Sequence, residues 1–140
     1  SMVVASLIKK FCNSTGVVKI WGDGSPIRDF IYSKDVAKMM IQVVEKEISN
    51  PINLGSGDGV SISELVEVIS SSTHIKKKPK IEFEIEKPMG DKIRVLNTKL
   101  AKSNKISPII SLKDGIDETI DWYLKNIESV DLKFNAFNQK

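Results

Sequence analysis

The chain has 140 residues, of which 41% are hydrophobic, 28% are charged and 6% are aromatic, a composition typical of one globular domain rather than of a disordered polypeptide. A net charge of +3, with the bases spread along most of the chain, does not indicate a nucleic-acid binder. A single cysteine (Cys12) and a single histidine (His74) cannot by themselves form a disulfide framework or a zinc site. No apolar run approaches the roughly 18 residues of a membrane span, so we expect a cytoplasmic protein.

The first half of the chain is predicted to alternate helices with short strands. Apolar residues at helical spacing predict a helix from Val3 that ends near residues 13–16, and Val17–Trp21 has the composition of a strand. The turn at residues 22–26 contains two glycines and a proline, and a second strand is expected over residues 28–32.

A helix over residues 34–48 should follow, with Ser33 as its N-cap and Asp35 in its first turn. Its predicted apolar stripe consists of Val36, Met39, Met40, Val43 and Val44.

The middle of the chain combines a third strand with a clear helix start. Ile52–Leu54 should be a strand that leads into the glycine-rich loop at residues 55–59. Ser61 and Glu64 have the spacing of a capping box, which predicts a helix from there to about Ser70.

The second half of the chain begins with a basic cluster at residues 76–78. Alternating apolar and acidic residues over 81–86 predict a half-buried strand, residues 87–91 a loop, and residues 94–96 an extended segment. Asn97 can cap a short helix over residues 98–104.

A last helix should begin at a capping pattern over residues 111–114. Its expected buried face consists of Ile116, Ile120, Tyr123, Leu124 and Ile127. These elements predict a mixed α/β fold whose strands are too short and scattered for one independent doubly wound sheet.

The two glycine clusters, residues 22–24 and 55–59, follow strands but spell no dinucleotide or P-loop fingerprint. They are interpreted as tight turns. An anion site before the helix at Ser61 stays open as an alternative, although capping by Ser61 already uses those amides.

Arg28 and Arg94 are the only two arginines, and both lie beside loops. A guanidinium presents the planar donor fork that suits a diphosphate. Arg28 could instead form an ion pair with Asp29 or Asp35, and the head of Arg94 could point either into a cleft or to solvent.

The remaining reactive residues indicate little chemistry. Cys12 is interpreted as structural and His74 as exposed, because one of each, far apart in sequence, does not indicate a catalytic pair. The lysines at 76–78 could meet a polyanion but are more typical of a solvated loop. Tyr-x-x-x-Lys, a pairing that activates tyrosine for proton transfer, does not occur in the sequence.

Several segments, taken in chain order, resemble the extended short-chain dehydrogenases that act on sugar nucleotides, the NAD-dependent epimerase/dehydratase family. The segment from Trp21 to Ala37 resembles the family pattern W/Y-G-x-G-x-x-x-R-D/E-F-I/L-x-V-x-D-x-A. Within the family, Trp21, Arg28 and the loop Lys-Pro-x-Gly look most like the GDP-L-fucose synthase branch. The further matching segments are residues 53–57, 60–65, 87–90, 94–100 and 112–123.

This resemblance covers only the C-terminal half of such an enzyme. It implies an α/β substrate-binding lobe over residues 3–128, with the N-terminal Rossmann half missing. Residues 1–2 are then a cloning remnant or the start of the chain, and residues 129–140 a flexible tail. In the family, the missing half carries the G-x-x-G-x-x-G cofactor loop and the Tyr-x-x-x-Lys pair.

The resemblance also implies roles for single residues. Arg28 would contact the substrate diphosphate, Arg94 would face the nucleotide sugar, and Trp21 would pack near the nucleotide. Asn53 would help to shape the pocket. No catalytic, cofactor-binding or metal residue is assigned in this chain.

The parent protein would then be an NADP- or NAD-dependent oxidoreductase or isomerase that acts on a GDP- or UDP-linked sugar. The chain alone would bind no cofactor and be inactive, and it would associate with itself or with the parent's N-terminal half. Neither nucleic acid nor a membrane is expected as a partner. The alternative is a non-catalytic nucleotide-binding or protein-interaction module derived from that lobe.

Overall fold

The computed structural model describes residues 3–128, so the predictions for residues 1–2 and for the tail at 129–140 lie outside the described residues. Helices and strands alternate along this part of the chain. The helices are α1 (Val3–Asn13), α2 (Ser33–Glu45), α3 (Ile62–Ser71), α4 (Lys99–Ser103) and α5 (Leu112–Lys125). The strands are β1 (Val17–Trp21), β2 (Ile27–Asp29), β3 (Gly59–Ser61), β4 (Lys80–Glu84) and β5 (Ile93–Arg94).

The strands form two small sheets, as a mixed α/β fold with short strands requires. β1 and β4 pair in parallel, from Val17 opposite Lys80 to Trp21 opposite Glu84. In the second sheet β2 lies between β3, its antiparallel neighbour, and β5, its parallel neighbour. Each strand has five residues or fewer, so helices and loops supply most of the packing.

The main hydrophobic core lies where α1, α3 and α5 pack together and against β1. A fully buried aliphatic or aromatic side chain contributes about 1.5 to 3 kcal/mol, and this core contains more than ten such residues. Its buried members are Leu7, Ile8, Phe11, Val18, Ile20, Ile62, Leu65, Val66, Ile69, Ile75, Ile116, Ile120 and Tyr123. The helices and strands that carry these residues are the ones that the sequence pattern predicted best.

Two of the predicted helix caps are confirmed. The Ser61 hydroxyl accepts the N–H of Glu64 at 3.1 Å, and the Glu64 carboxylate accepts the N–H of Ser61 at 2.7 Å, which completes the capping box of α3. The hydroxyl of Ser111 accepts the N–H of Asp114 at 3.1 Å at the start of α5. Short side chains therefore fix where these two helices begin.

The prediction for α2 was wrong in its cap and only partly right in its buried face, where Met39 is buried and Val36 and Val43 are half-buried. The helix begins at Ser33 itself, with Tyr32 at the N-cap and no side-chain cap. Met40 and Val44 of the predicted stripe are 58% and 77% exposed, whereas Asp35 is only 1% exposed.

A hydrogen-bond requirement explains this rotation of the helix. Oδ2 of Asp35 accepts the backbone N–H groups of Ile109 and Ile110 at 3.1 and 2.8 Å. The helix therefore turns a carboxylate inward to satisfy a loop that sequence periodicity does not reveal.

Other predictions failed where tertiary contacts decide. The second strand ends at Asp29 instead of residue 32, and Ile52–Leu54 is not a strand. Ile52 and Leu54 instead pack against a second small core of Met39, Ala101 and Ile106. On α5, Leu124 is 39% exposed although the apolar pattern placed it on the buried face.

The N-cap of α4 lies one residue after the predicted position, Asn97. Thr98 occupies the N-cap position without a side-chain bond. The Asn97 side chain accepts the N–H of Lys99 at 3.1 Å.

We expect Asp35→Ala to lower the free energy of unfolding by about 2 to 4 kcal/mol, because two loop amides lose their acceptor in a water-poor site. Urea unfolding followed by circular dichroism measures this loss. Glu45→Ala, which removes an exposed carboxylate from the same helix, is the matched control and should change stability little. A loss for Asp35→Ala no larger than that of the control would contradict this role.

Candidate functional site

The two arginines singled out in the sequence are direct neighbours across β2 and β5. Arg28 and Arg94 are register partners in this parallel pair, so their side chains leave the sheet on the same face, with strands about 4.8 Å apart. Like charges at such positions repel each other. The fold thus places side by side on adjacent strands two arginines that lie 66 residues apart in the sequence.

Arg28 is half-buried and takes part in no ion pair with any Asp or Glu among residues 3–128. Its guanidinium donates from Nη1 to the carbonyl oxygen of Ile27 at 2.8 Å. The suggested ion pair with Asp29 or Asp35 is not formed, because both carboxylates are occupied by backbone amides. Most of the donor fork of Arg28 is therefore left for an anion.

Arg94 is exposed rather than enclosed in a cleft. Its guanidinium donates from Nη2 to the carboxylate of Asp91 at 2.8 Å, and the two side chains are 77% and 65% exposed. An ion pair as open as this one contributes at most about 1 kcal/mol. Asp91 is thus a weak competitor for any anion that approaches Arg94.

The loop that contains Asp91 also contacts the turn after Trp21. Met89 accepts the N–H of Asp23 with its sulfur at 3.4 Å and lies against Gly22, where a Cβ would collide with it. The ammonium of Lys87 lies 6.0 Å from the centroid of the Trp21 ring, at the outer limit of a cation–π contact.

A Cβ at Gly90, whose φ is 74°, would lie 3.8 Å from Nη2 of Arg28. Residues 87–91 therefore link Trp21, which is 61% exposed, to both arginines.

The carboxylate of Asp29 joins three segments, and sequence reasoning missed this role. Oδ1 accepts the N–H and the hydroxyl of Ser56 at 2.9 and 2.5 Å, and Oδ2 accepts the N–H groups of Gly57 and Leu96 at 3.0 and 3.3 Å. Partial burial opposes the charge on Asp29, but these hydrogen bonds outweigh it, so the pKa of the carboxyl lies below its usual value. The only sequence signal was an acid beside Arg28, which suggested an ion pair.

Asn53 contacts the chain next to Leu96, which is one of the donors to Asp29. Its side-chain amide donates to the carbonyl oxygen of Asn97 at 3.1 Å. The contact fixes the segment that follows β5. Asn53 is therefore linked to Arg94 only through the chain between residues 94 and 97.

The glycine-rich loop before α3 does not form a dinucleotide site. Its amide N–H groups at Ser56 and Gly57 donate to Asp29, and that of Asp58 donates to the Ser56 hydroxyl.

The amides at the start of α3 are bonded as well: those of Ile62 and Ser63 donate to the carbonyls of residues 26 and 24. The predicted use of amides by the Ser61 cap is confirmed, and the described chain does not fit a nicotinamide dinucleotide at this loop.

The other candidates found in the sequence lie elsewhere. Cys12 is half-buried, which raises the pKa of its thiol and makes it less reactive. His74 is half-buried rather than exposed. Residues 76–78 are exposed, as predicted for a solvated loop.

The remaining features of residues 3–128 offer no alternative binding or metal site. A cavity of about 500 Å³ between the end of α1 and β1 is lined by none of the predicted binding residues. In residues 3–128 no three His, Cys, Asp or Glu side chains are grouped so that they could hold a metal ion. No helix in this range is long and apolar enough to cross a membrane.

Comparison with known proteins shows what this chain is similar to. The family model described as "NAD dependent epimerase/dehydratase family" matches residues 1–55. GDP-L-fucose synthase 1 of Arabidopsis thaliana is 31% identical over 132 residues, which cover 91% of this chain and 40% of that protein. The chain thus spans about 40% of the length of the curated relatives that it matches.

Solved structures show the same fold. A GDP-L-fucose synthetase from Naegleria fowleri superposes with a TM-score of 0.81 at 23% identity, over 92% of this chain and 41% of that one. A UDP-N-acetylglucosamine 4-epimerase from Methanobrevibacter ruminantium M1, in complex with UDP-N-acetylmuramic acid, gives 0.77 at 25% identity, over 90% and 40%. In its sequence segments and in its α/β fold, the chain is similar to the NAD-dependent epimerase/dehydratase family.

Proposed function

We propose that this chain is the sugar-nucleotide-binding lobe of an NAD(P)-dependent epimerase, dehydratase or reductase of the GDP-L-fucose synthase kind. In this proposal Arg28 and Arg94 bind the diphosphate, Trp21 borders the nucleotide, and Asn53 shapes the pocket indirectly. The observation that carries it is the half-buried guanidinium of Arg28, which forms no ion pair with an Asp or Glu of residues 3–128, at a register position paired with Arg94. The relatives named as acting on GDP- or UDP-linked sugars support the substrate class.

A diphosphate is the anion that fits this pair best. Its two phosphoryl groups can each accept a bidentate contact from one guanidinium, which removes the repulsion between the arginines. Neither guanidinium has a strong competitor, because Arg28 has a single backbone acceptor and Arg94 an exposed aspartate. The exposed face of Trp21 is free to pack against a base or a sugar.

The same proposal explains two parts of the chain that lack a packing partner as surfaces for a partner half. Ile52–Leu54 has the composition of a strand but no strand partner among residues 3–128. Met40, Ile41 and Val44 leave an apolar strip of α2 at 58%, 58% and 77% exposure. We infer that an N-terminal Rossmann half, which the family resemblance implies, supplies cover for both; the chain spans 40% of the length of GDP-L-fucose synthase 1 of Arabidopsis thaliana.

A second candidate is a non-catalytic nucleotide-binding or protein-interaction module. It is favoured by one observation: the amides of the glycine-rich loop, a potential phosphate cradle, are bonded within the chain. A protein-interaction module predicts no nucleotide binding through Arg28, whereas the enzyme lobe and a nucleotide-binding module both predict it. They differ in whether addition of a cofactor-binding half produces turnover.

Arg28→Ala should weaken the binding of GDP about 10- to 100-fold, because it removes charge-assisted hydrogen bonds from a partly desolvated site. Isothermal titration calorimetry measures the change. The matched control is Lys77→Ala, which removes an exposed cation that precedes β4, at the end of the strand away from residues 87–91. Equal affinity in Arg28→Ala and in the unaltered chain would refute the diphosphate role.

Asp91→Asn should strengthen GDP binding by up to about fivefold, because it releases Arg94 from an exposed ion pair. Asp121→Asn, which breaks an exposed ion pair with Lys125 on α5, is the control for the change in net charge. The same titration compares the two variants at equal ionic strength. If both variants gain equally, the effect comes from net charge and not from the release of Arg94.

The chain alone should give no turnover when it is mixed with NADH or NADPH and a GDP- or UDP-linked keto sugar, because the sequence lacks the family's cofactor loop and Tyr-x-x-x-Lys pair. Absorbance of the reduced nicotinamide at 340 nm and chromatography of the sugar nucleotide follow the reaction. Consumption of cofactor above the rate without protein would overturn this prediction. Turnover on addition of a cofactor-binding N-terminal half would exclude the non-catalytic module.

A further inference from the structure

The position of Arg94 depends on very little regular structure. β5 consists of only Ile93 and Arg94, which pair with Ile27 and Arg28 of β2. On the N-terminal side, one further backbone bond joins the N–H of Ile27 to the carbonyl of Lys92 at 2.8 Å. A ladder of two residues cannot by itself hold a side chain at a fixed distance from its neighbour.

On the C-terminal side, a carboxylate accepts the next backbone amide beyond the end of the ladder. Leu96, two residues after Arg94, donates its N–H to Oδ2 of Asp29 at 3.3 Å. Asp29 follows Arg28 directly on β2. The side chain of Asp29 therefore anchors the strand of Arg94 to the strand of Arg28 beyond the last pair of the ladder.

The loop at residues 55–57 supports this anchor from the other side. Ser56 and Gly57 donate three hydrogen bonds to the same carboxylate. A Cβ at Gly55 would lie 2.8 Å from both Oδ2 of Asp29 and Cδ1 of Leu96. The glycine therefore lets the loop pack tightly behind the anchor, and Asp29 has little freedom to move.

We propose that Asp29 is a positioning residue that sets the spacing between Arg28 and Arg94 and thereby the affinity of the site for a diphosphate. The inference rests on the diphosphate function proposed above for the two arginines. Because backbone amides and a hydroxyl satisfy Asp29, its charge does not occupy the guanidinium of Arg28. It places the two cations instead of neutralising them.

The direction in which one substitution changes the affinity for GDP distinguishes a positioning role from a purely electrostatic one. Removal of a negative charge next to an anion site would, by charge alone, strengthen anion binding. Asp29→Asn also replaces one acceptor oxygen by an NH₂ group, which cannot accept the N–H groups of Gly57 and Leu96 in one orientation or that of Ser56 in the other. If Asp29 positions Arg94, the variant must bind GDP more weakly in spite of its more favourable charge.

The experiment is a calorimetric titration of the chain with GDP for Asp29→Asn, Arg94→Ala and the double variant, with Asp58→Asn as the matched control. Asp58 lies in the same loop and is exposed, so its substitution makes the same charge change without touching the anchor. We expect Asp29→Asn to weaken binding about 3- to 10-fold and Asp58→Asn to leave it equal or stronger. In the double variant, Asp29→Asn should add no further loss to Arg94→Ala, because it acts through that residue.

The possible outcomes separate this inference from the function on which it rests. If Arg28→Ala weakens GDP binding but Asp29→Asn does not, only the positioning role is overturned. Additive losses in the double variant would also overturn it, because they indicate general damage to the fold. If the unaltered chain does not bind GDP, both proposals are wrong.

A milder variant keeps the test valid if Asp29→Asn fails to fold. Ser56→Ala removes the hydroxyl that donates to Asp29 at 2.5 Å and accepts the N–H of Asp58 at 3.0 Å, and it leaves every charge in place. It should weaken GDP binding in the unaltered background and not in Arg94→Ala. An unchanged affinity in a stably folded Ser56→Ala protein would count against the positioning role.

Discussion

The arrangement of the candidate site depends on one carboxylate, that of Asp29. Three separate segments end their regular structure near it: β2, the glycine-rich loop and the chain that leaves β5. The loop and the chain after β5 would otherwise bring unsatisfied backbone amides to the end of β2, and the two oxygens of Asp29 on β2 accept them. A short side chain thereby replaces the ladder that strands of two or three residues are too short to provide.

The same principle operates in α2, with a larger effect on the fold. Asp35 turns inward to accept two loop amides, and the helix rotates so that Met40 and Val44 face outward. A polar requirement has thus decided which apolar residues are buried in this chain. The apolar strip that results is the surface that we assign to a partner half. Satisfaction of backbone amides and exposure of an interaction surface are two consequences of one contact.

Sequence patterns were most accurate where a single element determines its own structure. The capping box at Ser61, the N-cap at Ser111, the strand Val17–Trp21 and the core positions of α1 and α3 depend on neighbours within four residues or on a simple periodicity. They failed at Ile52–Leu54, where a strand needs a partner that the described chain does not contain. They also failed at the ion-pair alternative for Arg28, because spacing along the chain does not reveal that distant amides occupy Asp29 and Asp35.

The sequence by itself determined the α/β class, the main core, the choice of Arg28 and Arg94 and the family resemblance, because residue type, periodicity and motif order are local properties of the chain. Only the tertiary structure decided that the two arginines are register partners. It also decided that Arg28 has no carboxylate partner among residues 3–128, while Arg94 pairs with Asp91. The bonding of the amides in the glycine-rich loop was likewise visible only in the folded chain. The register of the two arginines and the hydrogen bonds of Asp29 depend on contacts between residues that are 27 to 67 positions apart, whereas Arg94 and Asp91 are three residues apart. The competition among distant donors for a few acceptors is settled only when the chain has folded.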